Sequence, residues 1–283
     1  MDSHAEIDIE GMCHLCGCTD RPMHGRSHVI PAWIFRQISS LRGDLLLSVD
    51  VNTITAKHAS IDGYEPPAVD PNLGTPFDES WYCIDCEKIF GKHDDFSAKF
   101  MKDPKNLGKR KALQRHLPPT VQRPETVVVR HMRAWEWRRF ILSMIYRMHV
   151  SNHEQYRSLA IGMESAAIIR DLLIRDKYDK RLYEFDIVAF SVVREEANGD
   201  HAFVSPAYIA TGGGGFTACF SFWGLWILAG YPTGSVPFAA RIPSDTCHTV
   251  HFPLISQETS FMWFAQTLGI DVNFIRPSGD FKS

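Results

Sequence analysis

Cys13-His14-Leu15-Cys16 and Cys83-Ile84-Asp85-Cys86-Glu87 are the stretches on which the fold turns. Each places two residues between its thiols, a spacing at which a tight turn aims both sulfurs at one tetrahedral ion. Two such pairs complete a closed four-thiolate sphere. Cys13, Cys16, Cys83 and Cys86 are therefore expected to hold a structural zinc ion. Of seven cysteines, Cys18, Cys219 and Cys247 remain outside this set. An odd count with metal-type spacing points to a reducing, cytoplasmic setting.

Between the pairs lies Arg26-Ser27-His28-Val29-Ile30-Pro31, where Ser27 to Ile30 reads as a short strand stopped by proline. Pro31 to Ile38 reads as a helix, with Ile34, Ile38 and Leu41 on one face. Leu45 to Lys57 alternates as a strand or two, and Asp62 to Asp78, rich in Pro, Gly and Asp, reads as a loop. Past the second pair, Ile89, Phe90, His93, Phe96 and Phe100 form a helical stripe. A helix starting at a thiolate pair is the pattern of a treble-clef zinc module.

Lys102 to Arg115 is basic, and Pro118, Pro119 and Pro124 mark a linker. The boundary is placed there: a zinc module over residues 1–120 and a second domain over 121–283. Arg133 to Met148 is the clearest helix, with Trp137, Phe140, Ile141, Met144, Ile145 and Met148 as its core stripe. Ser151 and Glu154 form a capping box for a helix to about Gly162, and a third helix reaches Arg175. From Phe185 onward the segments 185–193, 201–207, 216–226 and 250–254 are β-branched and aromatic, as in an antiparallel sheet. The four glycines of 212–215 suit a hairpin, since no helix and Lys-Ser/Thr follow them as in a phosphate loop. Glu258 to Leu268 reads as a closing helix. The fold class is α+β: an N-terminal zinc module, a helical middle and a β-rich C-terminal part.

The 283 residues are 45% hydrophobic and 22% charged, with a formal net charge of −3. That suits a globular chain with a core of its own and gives no global field for nucleic acid. A DNA partner would be met by a local patch, for which Lys105, Lys109, Arg110, Lys111 and Arg115 are the candidates; the alternative is a solvated surface segment. Met1 to Glu10 lacks the pattern of a secretory leader, and no run of about 18 apolar residues suggests a membrane span.

The chemistry candidate is His28, which can take a proton from water near neutral pH; the alternative is a metal-bound or core histidine. Glu87, on the first turn of the helix after Cys86, can hold a hard cation such as magnesium or manganese. Its alternative is a partner for the helix dipole. Asp94 lies seven residues on along the same face, about 10.5 Å away, so one direct and one water-mediated contact is the expectation. His93 falls on the apolar stripe and reads first as packing.

Cys13-x-x-Cys16, Ser27-His28-Val29-Ile30-Pro31 and Cys83-x-x-Cys86-Glu87 together resemble the HNH (ββα-metal, His-Me finger) endonucleases with a zinc-knuckle frame. They look closest to bacterial proteins with Ser-His-Ile-Ile-Pro, Cys-x-x-Cys-Glu and a downstream Trp-Arg or Tyr-Arg, here Tyr146-Arg147. The resemblance implies a metal-dependent DNA endonuclease with His28 as general base, of a kind often found in bacterial defence. Two positions depart from it: Ser27 stands where the family has a metal-binding Asp, and Glu87 where it has His or Asn. The alternative is a non-catalytic, zinc-stabilised nucleic-acid-binding or protein-interaction subunit, with a protein partner or a homo-oligomer; Phe216 to Trp226 would be the interface, its alternative being a sheet core.

Overall fold

A computed structural model describes residues 11–34, 77–78, 80–102, 126–130, 133–152, 156, 161–193, 204–211, 215–222, 225–236 and 249–256. The fold is α+β. Strands β1 (Ser27–His28) and β2 (Phe77–Asp78) pair antiparallel, with Ser27 opposite Asp78 and His28 opposite Phe77. Helix α1 (Ile84–Lys102) follows. Its first turn carries Asp85 and Glu87, acids that suit the positive end of the helix dipole.

The remaining strands build one six-stranded sheet. They are β3 (Thr126–Arg130), β4 (Asp186–Val193), β5 (Val204–Thr211), β6 (Gly215–Phe222), β7 (Leu225–Tyr231) and β8 (Thr249–Ser256), in the order β3-β8-β4-β7-β6-β5. The expected antiparallel sheet is found, with one parallel pair: β4 and β8, where Ser191 lies opposite Leu254. Two other expectations are corrected. The 216–226 segment belongs to two strands, β6 and β7, which pair antiparallel with Phe222 opposite Leu225. Phe77–Asp78 is a strand on β1, where a loop was read, and Thr126–Arg130, given no element in the sequence reading, is a strand on β8. At Phe77–Asp78, local Pro and Gly outweighed a segment that only a distant partner makes into a strand.

Helices α2 (Ala134–Val150) and α3 (Met163–Arg175) match the expected helical middle. Ser151 caps the end of α2, and of residues 153–160 only Tyr156 is described. The helix over 258–268, the strands over 45–57, the basic segment from Lys105 to Arg115 and the boundary near 120 lie outside the described residues.

Helix α2 packs on α1 and α3, and α3 reaches β6. One buried cluster runs from Cys13, Leu15, Ile30 and Trp33 through α2 to Phe216, Phe220, Phe222 and Ile227. The sheet's other face buries Val188, Phe190, Cys219 and Leu228. Burial on both faces explains why these strands read as continuous apolar runs. Phe140 stands at the junction, its ring 6.4 Å from Trp33, 5.7 Å from Trp137 and 6.0 Å from Phe222. Among the described residues, no helix is long and apolar enough to cross a membrane.

Phe140→Ala leaves a void where α2, the N-terminal segment and β6 meet. It is expected to cost about 3–5 kcal/mol, read as a lower midpoint in denaturant unfolding.

Candidate metal centre and the site beside it

Gly17 sits at φ +73°, in the left-handed region open to glycine, and its N–H donates to the Cys13 carbonyl at 2.7 Å. That turn closes the first knuckle. The second is brought to it by the bridge between Met23 and Cys83, by His24 N–H on the Tyr82 carbonyl, and by His14 N–H on the Trp81 carbonyl. His14 also stacks on Trp81 at 4.1 Å. The sulfurs of Cys13, Cys16, Cys18 and Cys83 consequently all lie within 4.8 Å of one another. Such a set could hold a metal ion, and four thiolates suit tetrahedral zinc.

The expected set contained Cys86 and left Cys18 aside. The turn at Gly17 instead returns the Cys18 sulfur to 3.1 Å from that of Cys16. Cys86 is buried against the same group, with its thiol on Cys13. Five sulfurs thus crowd a site for four. Cys13 is lowered to about 4, chiefly by the hydrogen bond from Cys86, while Cys18 is pushed up to about 12, chiefly by Cys16. Thiols this close must share protons or a cation, and a divalent ion removes the conflict. The signal for Cys18 was present in the sequence as Cys16-Gly17-Cys18.

Beside the sulfurs, Ser27 of β1 meets the first turn of α1. Ser27 is 1% exposed, and its hydroxyl lies near Glu87. Burial pushes the Glu87 carboxyl above its ordinary value, while Arg147, His24 and the Ser27 hydroxyl pull it back. The two side chains approach without closing a normal hydrogen bond: Ser27 Oγ and Glu87 Oε2 are both buried and unpartnered. An open carboxylate oxygen beside an open hydroxyl fits a hard cation, which would also restore the carboxylate's charge.

His28 is half-buried at the end of β1, and its imidazole is close enough to Asp94 to favour that residue's ionised form. Asp94 and Glu87 are held differently. Burial raises Asp94 too, but both of its oxygens accept from Arg147, at 3.0 and 2.7 Å. Its charge is matched within the protein, whereas Glu87 keeps an open atom. Sequence reasoning missed His24, which lies near Glu87.

His93 is apart from this group. It is buried with Nε2 unpartnered, 3.9 Å from Asp176. Lys92 also reaches Asp176, at 2.8 Å, and Arg139 lies 3.6 Å away. Burial, then Arg139, lowers His93 to about 3, so it is a neutral packing residue.

Comparison with family models, curated proteins and solved structures finds no match.

Two outcomes follow from this geometry. The protein is expected to bind about one equivalent of zinc. Cys13→Ser, Cys16→Ser and Cys83→Ser should each abolish binding in a chelator-competition assay. Cys18→Ser and Cys86→Ser should each retain it, because the other sulfur closes the sphere, and the double variant should not. The second concerns acid. The unfolded chain protonates His93 near 6.5 and the fold resists until about 3, so its contribution to stability is complete above 6.5 and lost as pH falls through that window. His93→Gln should flatten the stability profile between those limits.

Proposed function

We propose that the protein is a metal-dependent DNA endonuclease of the HNH-like type. What supports this is the order β1, β2, α1 as a ββα unit framed by the cysteine cluster, with His28 at the strand end and Glu87 on the helix's first turn. Zinc is structural in this reading, because four thiolates leave no open position for substrate. The unpartnered atoms of Glu87 and Ser27 are where magnesium or manganese would be held. When bound, such an ion polarises the phosphodiester and stabilises the leaving alkoxide. His28 takes the proton of the attacking water, whose oxygen bonds to phosphorus as the ester oxygen leaves.

A binding-only role remains the second reading. It is favoured by Ser27 at the position of a family metal ligand and by the pairing of Asp94 with Arg147, which together leave Glu87 as the one open carboxylate described at this site. The region beyond about residue 125 would then serve partner recognition or assembly in either case.

Plasmid cleavage with magnesium or manganese tests the choice. Wild type is expected to nick DNA, and His28→Ala to lose on the order of 10²–10⁴-fold of that rate. Glu87→Ala should lose activity with zinc content unchanged. DNA binding without cleavage by wild type, steeply weakened by salt, would sink the nuclease and leave the binding role.

A further inference from the structure

Arg147 is 2% exposed, yet every one of its donors is used. Nε donates to the Ser143 carbonyl at 3.4 Å. Nη1 donates to the His28 carbonyl at 3.1 Å and to Asp94 Oδ2 at 3.0 Å. Nη2 donates to Asp94 Oδ1 at 2.7 Å and to Ser143 Oγ at 3.5 Å. The guanidinium also lies 5.0 Å over the Phe90 ring. Burial works against its charge, but Asp94 and then Glu87 outweigh burial and raise its pKa above the ordinary arginine value. A planar group with five fixed N–H donors can span three chain segments in this way; a lysine ammonium cannot.

The contrast with Arg139 is informative. It lies on the same helix and is equally buried, but its Nε and Nη1 make no hydrogen bond, and Nη1 stands 3.6 Å from Asp176 Oδ1. Burial of an arginine on α2 therefore does not by itself saturate its donors. At Arg147 the acceptors beyond its own helix are the backbone of the proposed base and the carboxylate two turns along α1 from Glu87, with Ser143 taking the rest.

We propose that the Arg147–Asp94 pair is a positioning unit: it ties the main chain of His28 to α1 and so holds the general base in register with Glu87. Asp94 is then an anchor and not a cation ligand. This inference rests on the nuclease reading above. A pair that served only stability could be weakened with a loss of melting temperature and no change in turnover per folded molecule. A positioning pair loses turnover in the folded molecule, since small displacements of reacting groups are costly.

The test uses the full chain and a duplex oligonucleotide with manganese, measured well below each variant's melting temperature and normalised to bound zinc. Arg147→Lys keeps the charge but not the fork. It is expected to keep KM within about twofold and to lose about 10–100-fold in kcat. Asp94→Asn should behave alike while binding manganese as tightly as wild type, whereas Glu87→Gln should bind it more weakly. If Arg147→Lys fails to fold, Asp94→Asn decides on the same criteria. A kcat within about threefold of wild type, or manganese binding lost in Asp94→Asn, overturns the inference and leaves the nuclease standing. Absence of cleavage by wild type removes both.

Discussion

The contact on which the rest depends is the meeting of sulfurs from two segments, Cys16 and Cys83 being 67 positions apart in the chain. It fixes where α1 begins, because Cys83 immediately precedes the helix and its carbonyl accepts from the Glu87 N–H. Everything on the helix's first turn is then placed relative to the first knuckle. A metal ion on the sulfurs would make that placement part of the folding free energy, as in other small thiolate-framed modules.

Helix α2 is the second organiser. Its apolar stripe forms the centre of the core, and its polar residues act as ties. The Tyr146 hydroxyl donates to the His14 carbonyl at 2.6 Å, and Arg147 reaches β1 and α1. Arg138 donates to the carbonyls of Leu182 and Phe185, at the 3-10 helix (Lys180–Glu184) and the start of β4. Buried arginines are costly to desolvate unless such partners exist. Two adjacent residues of α2 therefore hold the cysteine-framed unit, and more than two turns earlier another holds the start of β4, an inner strand of the sheet. Knuckle, site and sheet share one core through this helix.

Burial divides the acidic residues by role. Glu87 and Asp94 lie on one helix in similarly desolvated surroundings. Asp94 is matched by a guanidinium, while Glu87 keeps a free oxygen beside Ser27. A buried carboxylate oxygen without a hydrogen-bond partner is disfavoured as an ion even with Arg147 and His24 nearby, a condition that a bound cation would relieve.

Local chemistry made part of this legible. Thiols at metal spacing, the apolar stripes of α1 and α2 and the β-branched runs after Phe185 are patterns set by neighbours within a few residues. The α+β class and the cysteine cluster could therefore be read from the chain alone. Pairing across distance could not. That Thr126–Arg130 is a strand, that β4 and β8 run parallel and that Phe77–Asp78 completes a ribbon with Ser27–His28 depend on partners far away in sequence. The same holds for Arg147 claiming Asp94. Spacing along one helix put Asp94 and Glu87 on a common face, but only the packing of α2 against that face decided which carboxylate stayed open, because a charge is matched by whatever the fold brings within a few ångströms of it.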